Sequence, residues 1–277
     1  MRLIFKVLSF LPLAILHALG WGLGWLVYGL SPTYRARLRA NSALAGISEQ
    51  ARRRAVGAAG ELVAELPRIW SQASFPVVWD GAALIDQALI ERKGILFLTP
   101  HLGCFEATAR AYAAIYGVAG HPMTVLFRPP RQTWLRSLVV SSRARPGLKT
   151  APTTLAGVKQ LVRALKSGEC VGLLPDQVPP KGLGEWAPFF GKDAYTMTLA
   201  IRLAQQTGAA VLIAWGERLA WGRGYRIHVQ RMDAFGPAAL PTALQQMNAA
   251  MESLILQAPQ QYLWGYARYK TPRETAI

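Results

Sequence analysis

Acidic residues are scarce in this chain of 277 residues: 15 Asp and Glu stand against 31 Lys and Arg, a formal net charge of +16. None occurs before Glu49, and none between Glu106 and Glu169. Cysteine is scarcer still, with only Cys104 and Cys170. Two cysteines cannot build a disulfide scaffold, so reduced thiols are expected. There is only one long apolar run, which excludes a polytopic membrane protein. Internal repeats and low-complexity linkers are absent. A disordered basic tail is excluded as well, because 52% of the residues are hydrophobic and only 17% charged. What is left is a folded chain long enough for a sizeable core. Its unbalanced positive charge favours an anionic partner: nucleic acid, an acidic protein or an anionic membrane surface.

The charge is concentrated. The acid-free window 107–168 holds ten basic residues, from Arg110 to Lys166. A solvated basic face is the plain reading, and a docking surface for phosphates is the functional one. The apolar run, Val7 to Leu30, has no charge between Lys6 and Arg35 and is long enough to span a bilayer. Pro12 should kink it, and Gly20, Gly22, Gly24 and Gly29 should loosen it. Trp21, Trp25 and Tyr28 gather towards the end that Arg35, Arg37 and Arg39 follow, as at a cytoplasmic membrane interface. The run exceeds a signal-peptide core and lacks a cleavage site at its end. It reads as a membrane anchor over residues 1–31, spanning or lying in the interface. Residues 32–277 then form a single domain on the cytoplasmic side.

Within that domain, 32–72 reads as helical with a break at Asn41-Ser42. Short apolar runs at 95–99, 123–127 and 170–174 read as buried strands, as do 209–215 and 225–232. Helical patterns at 105–116, 132–142, 153–166, 195–206 and 240–256 alternate with them. Residues 178–191, rich in Pro and Gly, read as an ordered loop or flap. The fold class is therefore α/β, a mixed, largely parallel sheet flanked by helices.

Three polar elements follow three of the apolar strands, where open α/β sheets place their sites. The first is HLGCFE, His101 to Glu106. On a continuous helix, residues five apart do not share a face. A His at a strand exit and a Glu in the next helical turn can still meet if Gly103 allows a tight bend. Glu106 would then orient the His101 imidazole as a general base. A second His–acid pair of the same spacing, His228 and Asp233, lies along a strand, where an odd separation keeps the side chains apart. Cys104 reads as packing rather than as a nucleophile. The second element is FRPPR, with Arg128 and Arg131 suited to phosphate. The third is Asp176 in LLPDQ, fit to bind a hydroxyl or fix a loop.

These motifs, in this order, resemble the bacterial lipid A biosynthesis late acyltransferases of the lauroyl/myristoyl type. RANSALAG (39–46), HLGCFE, FRPPR, GVKQLVRALKSGECVGLLPDQ (157–177), PFFGKDAYTMTLAIRLAQQTGAAV (188–211) and QQYLWGYARYK (260–270) carry the resemblance. It implies a glycerolipid-acyltransferase-like fold with an N-terminal membrane-anchoring helix, and transfer of a fatty acyl chain from an acyl carrier protein thioester to a hydroxyl of a phosphorylated glycolipid, a lipid A precursor. It further implies work at the cytoplasmic leaflet of the bacterial inner membrane, with no metal and no cofactor. His101 would be the general base and Glu106 its partner, with Gly103, Arg128, Arg131 and Asp176 facing substrate. Cys104-Phe105, Val178 and Gln260 depart from the family's usual residues and leave the acceptor open to a lysophospholipid, another glycolipid or an aminolipid. The distant alternative is a non-catalytic basic protein that binds membrane or nucleic acid. No aromatic RNA-recognition pattern supports the latter.

Overall fold

The computed structural model describes residues 2–72, 74–127, 145–233 and 235–274. Seven strands form one sheet: β1 (Val77–Asp80), β2 (Ile95–Leu98), β3 (Met123–Phe127), β4 (Leu148–Pro152), β5 (Cys170–Leu173), β8 (Ala210–Arg218) and β9 (Tyr225–Met232). Their order is β1-β9-β8-β2-β5-β3-β4. Only the β8–β9 pair is antiparallel, so the sheet is mixed and largely parallel, as expected.

The central strands are apolar throughout because both faces of the sheet are covered. Leu96, Leu98, Val171, Leu173, Val211 and Ile213 point to one core. Ile95, Phe97, Cys170, Ala210, Leu212 and Ala214 alternate into the other. The first face is covered by α7 (Leu155–Lys166), α8 (Leu199–Thr207) and α9 (Leu240–Gln257). The second meets α5 (Ala82–Ile90) and α6 (Phe105–Tyr112), together with the far end of α4 (Glu49–Ser71). The strands that composition did not announce, β1 and β4, are the two sheet edges, where alternate or successive residues face solvent and no apolar run can form.

The segment expected as a loop or flap contains the first strand of a hairpin, β6 (Gly184–Phe189) paired with β7 (Lys192–Met197). Phe190 and Gly191 both have positive φ, 48° and 73°, the pair a two-residue hairpin turn requires. Because β7 runs through Met197, the helix expected from Tyr195 begins only at Leu199. Asn248 donates to the Pro188 carbonyl at 2.8 Å, and the Phe190 N–H donates to Glu252 at 2.8 Å, fixing the hairpin on α9.

Four helices precede the sheet: α1 (Arg2–Phe10), α2 (Leu13–Leu30), α3 (Pro32–Leu44) and α4. Pro12 separates α1 from α2, and the Ser31 side chain caps α3. The expected break at Asn41-Ser42 falls later, at 45–48, with Gly46 at φ 64°. Asn41 stays helical because its amide is bonded to the Trp264 and Tyr266 carbonyls, at 2.7 and 2.8 Å.

The glycines of α2 do not loosen it evenly. Gly22 and Gly29 face open space, but Gly20 and Gly24 lie on α4. A Cβ on Gly20 would come 2.6 Å from Glu61 Cα, and one on Gly60 would strike the Gly20 carbonyl and the Gly24 nitrogen. Small residues let the two backbones touch.

A buried ionic cluster lies in the same interface. His17 of α2 is 3.1 Å from Glu65 of α4. Glu65 accepts two bonds from the Arg218 guanidinium, at 2.9 and 2.7 Å, and a third from the Tyr225 hydroxyl at 2.9 Å. Burial pushes the Glu65 carboxyl up, but the Arg218 charge and the bonds from Arg218 and His17 outweigh it and hold the group at about 2. Two helices and two strands thus meet at one carboxylate.

Two outcomes follow from this packing. Gly60→Ala should destabilise the fold by about 1–3 kcal/mol in urea unfolding, despite the roughly 1 kcal/mol alanine gains in helix propensity; unchanged or raised stability would show the helices are not in backbone contact. The second concerns acid. Glu65 ionises more readily when folded than the ordinary value of 4.5, so its stabilisation is complete above that pH and is lost as the pH falls towards about 2. Glu65→Gln should cost roughly 3–5 kcal/mol at neutral pH, because Arg218 is left buried without its counter-charge. It should also flatten the wild-type loss of stability in that acid window, measured by unfolding at a series of pH values.

Candidate active site

The site grows from the pairing of β2 with β5. Leu98 lies opposite Leu173 in parallel register, and the Thr99 N–H donates to the Leu173 carbonyl at 3.0 Å. Each strand then meets a proline, Pro100 and Pro175, which can donate no further ladder bond. His101 and Asp176 are the next residues, each three beyond its paired leucine. Equal offsets from a common rung bring them together. The His101 Nδ1 lies 2.7 Å from Asp176 Oδ1, and the His101 backbone N–H donates to Oδ2 at 2.8 Å.

The imidazole's other nitrogen meets Gln177. The Gln177 amide is 3.0 Å from His101 Nε2. An amide N–H donating there and a carboxylate accepting at Nδ1 assign the neutral tautomer with its proton on Nδ1. The Nε2 lone pair is then the basic position. Asp176 is buried at 2% exposure. Burial raises its carboxyl, but attraction to the His101 ring, the two bonds from His101 and the Arg268 charge prevail, so it lies below the usual carboxylate value. Arg268 is itself buried, donating at 2.7 Å to the Tyr195 carbonyl and to the Thr196 hydroxyl.

This geometry gives three of the expected site residues contacts that the sequence did not suggest. Asp176, not Glu106, holds the imidazole at Nδ1. Glu106 is buried in the first turn of α6, one turn before Arg110. Phe105, not Glu106, packs against the imidazole, its ring 4.9 Å away at 62°. Asp176, expected to face substrate, has both oxygens on His101. Gly103, also expected to face substrate, donates its N–H to the Gln261 carbonyl at 3.0 Å. Its φ is +58°, and a Cβ would strike the Gly216 carbonyl, so glycine is required for packing. The remaining candidates, Arg128 and Arg131, lie outside the described residues, as does the helix expected at 132–142.

The loop that carries His101 is held on several sides. The Cys104 N–H donates to the Gly216 carbonyl at 2.8 Å, and the Leu263 N–H donates to the His101 carbonyl at 3.2 Å. Gln261 links the loop to the ionic cluster: its Oε1 accepts from the Arg218 N–H at 2.9 Å, and its amide donates to the Arg218 carbonyl at 3.1 Å. Cys104 is fully buried. Burial, then the nearby Glu65 charge, push its thiol well above the ordinary value, so it packs as a neutral group.

Not all of the acid-free window forms a docking face. The Arg110 guanidinium is buried over the Phe75 ring at 5.2 Å and donates to the Gln72 carbonyl at 2.7 Å. Arg145 reaches the same carbonyl at 3.1 Å, and Lys149 pairs with Glu169 at 2.9 Å. His228, the decoy, pairs with Asp80 and Glu217, each at 2.9 Å, rather than with Asp233.

Gln177 and Gln261 had no assigned role in the sequence. Gln177 directly follows Asp176 at a strand exit, which was signal enough to place it near the site. Gln261 carried no such mark, because its contacts are made with a residue 43 positions away.

The family described as bacterial lipid A biosynthesis acyltransferase matches residues 2–271. The chain is 29% identical over 194 residues to the lipid A biosynthesis palmitoleoyltransferase of Escherichia coli (strain K12), covering 69% of this chain and 61% of that protein. It is 26% identical over 276 residues to the lipid A biosynthesis lauroyltransferase of the same organism, covering 95% of this chain and 88% of that protein. A lipid A biosynthesis acyltransferase of Haemophilus influenzae is 26% identical over 184 residues, 66% of this chain and 56% of that protein. The chain therefore spans about three fifths of the palmitoleoyltransferase it matches. With a match running from α1 to the C-terminal segment that holds the His101 loop, the chain belongs to the bacterial lipid A biosynthesis acyltransferase family.

Proposed function

We propose that this protein is an acyltransferase that moves a fatty acyl chain from an acyl carrier protein thioester to a hydroxyl of a lipid A precursor. The observation that carries this reading is the His101 imidazole clamped at Nδ1 by Asp176, with the replaceable amide of Gln177 at its Nε2. The acceptor hydroxyl takes the place of that amide. As the oxygen attacks the thioester carbonyl, Nε2 removes its proton, and the imidazolium formed is stabilised by the Asp176 carboxylate. The tetrahedral adduct collapses, the C–S bond breaks, and the leaving thiolate takes the proton back from His101. The products are an ester and a free carrier thiol, with no covalent enzyme intermediate. Glu106 lies buried in the first turn of α6, where an acid is favoured by the helix dipole.

The net charge of +16 suits both an acidic carrier protein and a phosphorylated acceptor. The N-terminal apolar helices hold the protein to the inner membrane, with the sheet domain on the cytoplasmic side.

In an assay with acyl carrier protein thioester and a lipid A precursor, His101→Ala should abolish transfer in a protein that stays folded. Asp176→Asn should lower kcat by roughly 10²–10⁴-fold with little change in KM, since it misdirects the tautomer without touching either substrate. Full activity in either variant would sink the reading. Gln177→Ala should retain activity, because the amide only fills the place of the hydroxyl. Turnover of a lysophospholipid in preference to the lipid A precursor would reassign the acceptor and leave the chemistry intact.

A further inference from the structure

One face of α2 is apolar and uncovered. Ile15, Leu19, Leu23, Leu26 and Leu30 recur every three or four residues and are all exposed, Leu30 at 76%. Phe10 of α1, 68% exposed, continues the stripe. The opposite face is bound along its length: Leu13 and Leu16 are buried, His17 joins Glu65, and Gly20 and Gly24 lie on α4.

Both ends of α2 are tied to the same domain. Before it, the Leu11 carbonyl accepts from Arg68 and the Ser9 carbonyl from Gln72, each at 2.9 Å, and Phe5 stacks on Trp70 with ring centroids 5.9 Å apart. After it, Ser31 caps α3, and α3 is pinned to the C-terminal segment through Asn41. An 18-residue helix is roughly 27 Å long and could cross the hydrocarbon on length alone. Crossing would drag α4 along it, with Arg53, Arg54, Glu61 and the Glu65–Arg218 pair, into a layer that excludes them.

We propose that α1 and α2 do not span the membrane but lie in the plane of one leaflet, the stripe among the acyl chains and the α4 side towards the headgroups. The proposal rests on the membrane association argued above. The lipid it fits is anionic. Lys6 of α1 precedes the stripe and Arg37 and Arg39 of α3 follow it, and all three are exposed. A groove of about 650 Å³ between α2 and the start of α4 is lined by Trp21, Trp25, Glu49, Gln50, Arg53 and Arg54. Tryptophan at headgroup depth and arginine facing phosphate are the two chemistries of that layer.

Thiol labelling of the full chain in cell membranes tests this, because both native cysteines are buried. Lys6→Cys and Arg37→Cys bracket α2, Val78→Cys marks the domain, and all three positions are exposed. With an impermeant maleimide, all three should label in inverted inner-membrane vesicles and none in right-side-out vesicles, the first two at rates within about twofold. Leu19→Cys should stay protected in both until detergent is added. Its bimane adduct should be quenched in vesicles of brominated phosphatidylglycerol. Labelling of Lys6→Cys from the side opposite Arg37→Cys and Val78→Cys would overturn the in-plane geometry while leaving membrane association standing. Protection of Leu19→Cys without quenching would also overturn it, since a protein would then cover the stripe. A chain that does not sediment with membranes at all would remove both the geometry and the membrane reading beneath it.

Discussion

The parallel register of β2 on β5 is the constraint from which the site follows. With Leu98 opposite Leu173 and a proline two residues past each, the chain has little freedom in where it puts the next side chain. A slip of one residue along either strand would do more than part His101 from Asp176. It would turn every side chain of that strand to the other face, exchanging Leu96 and Leu98 for Ile95 and Phe97 in cores already filled. The two cores on either side of the sheet therefore protect the pairing of His101 with Asp176. Stability and chemistry are specified by one rung.

Support for the loop comes from the other side of the molecule. Gln261 bonds the Gly103 turn through its carbonyl and Arg218 through its side chain, and Arg218 ends in the carboxylate of Glu65. His17 of α2 touches the same carboxylate. A continuous chain of hydrogen bonds thus runs from α2 to the turn that follows His101. Such a buried network is costly unless every member is satisfied. Here its carboxylate has partners from three elements, and Cys104 lies beside it as a neutral group rather than a competing charge. The apolar stripe of α2 and the position of His101 are consequently parts of one rigid arrangement.

The sequence made the apolar half of this legible. Five inner strands stood out, β2, β3, β5 and β8 as apolar runs and β9 despite one partly exposed face, and the strand exits held the residues that meet in the site. The edge strands β1 and β4 did not stand out, because half-exposed residues leave no apolar run. The β6–β7 hairpin hid in a Pro- and Gly-rich stretch, since its turn chemistry, Phe190-Gly191, is unusual in using a bulky residue at positive φ. Within the site, local spacing pointed to Glu106 as the partner of His101. The carboxylate on its Nδ1 is 75 residues away. Strand order decides that contact, and strand order is a property of the whole sheet. The equal spacing of Leu98-Thr99-Pro100-His101 and Leu173-Leu174-Pro175-Asp176 was visible throughout, but it acquires meaning only once β2 and β5 are known to be neighbours.

The choice of aspartate over glutamate on His101 has a geometric reason. Asp176 uses both oxygens on one residue, Oδ2 on the backbone N–H and Oδ1 on the ring Nδ1. A short side chain bridging these two donors fixes the ring against rotation as well as selecting its tautomer, and a longer carboxylate would restore the freedom that the bridge removes. At Nε2 the arrangement is the reverse. A single neutral amide from Gln177 occupies the position at 3.0 Å, a bond weak enough for an incoming hydroxyl to replace at little cost. A base must be held rigidly at one nitrogen and remain exchangeable at the other. The contrast between a two-point carboxylate clamp and a one-point amide contact meets both demands on adjacent residues of the same strand exit.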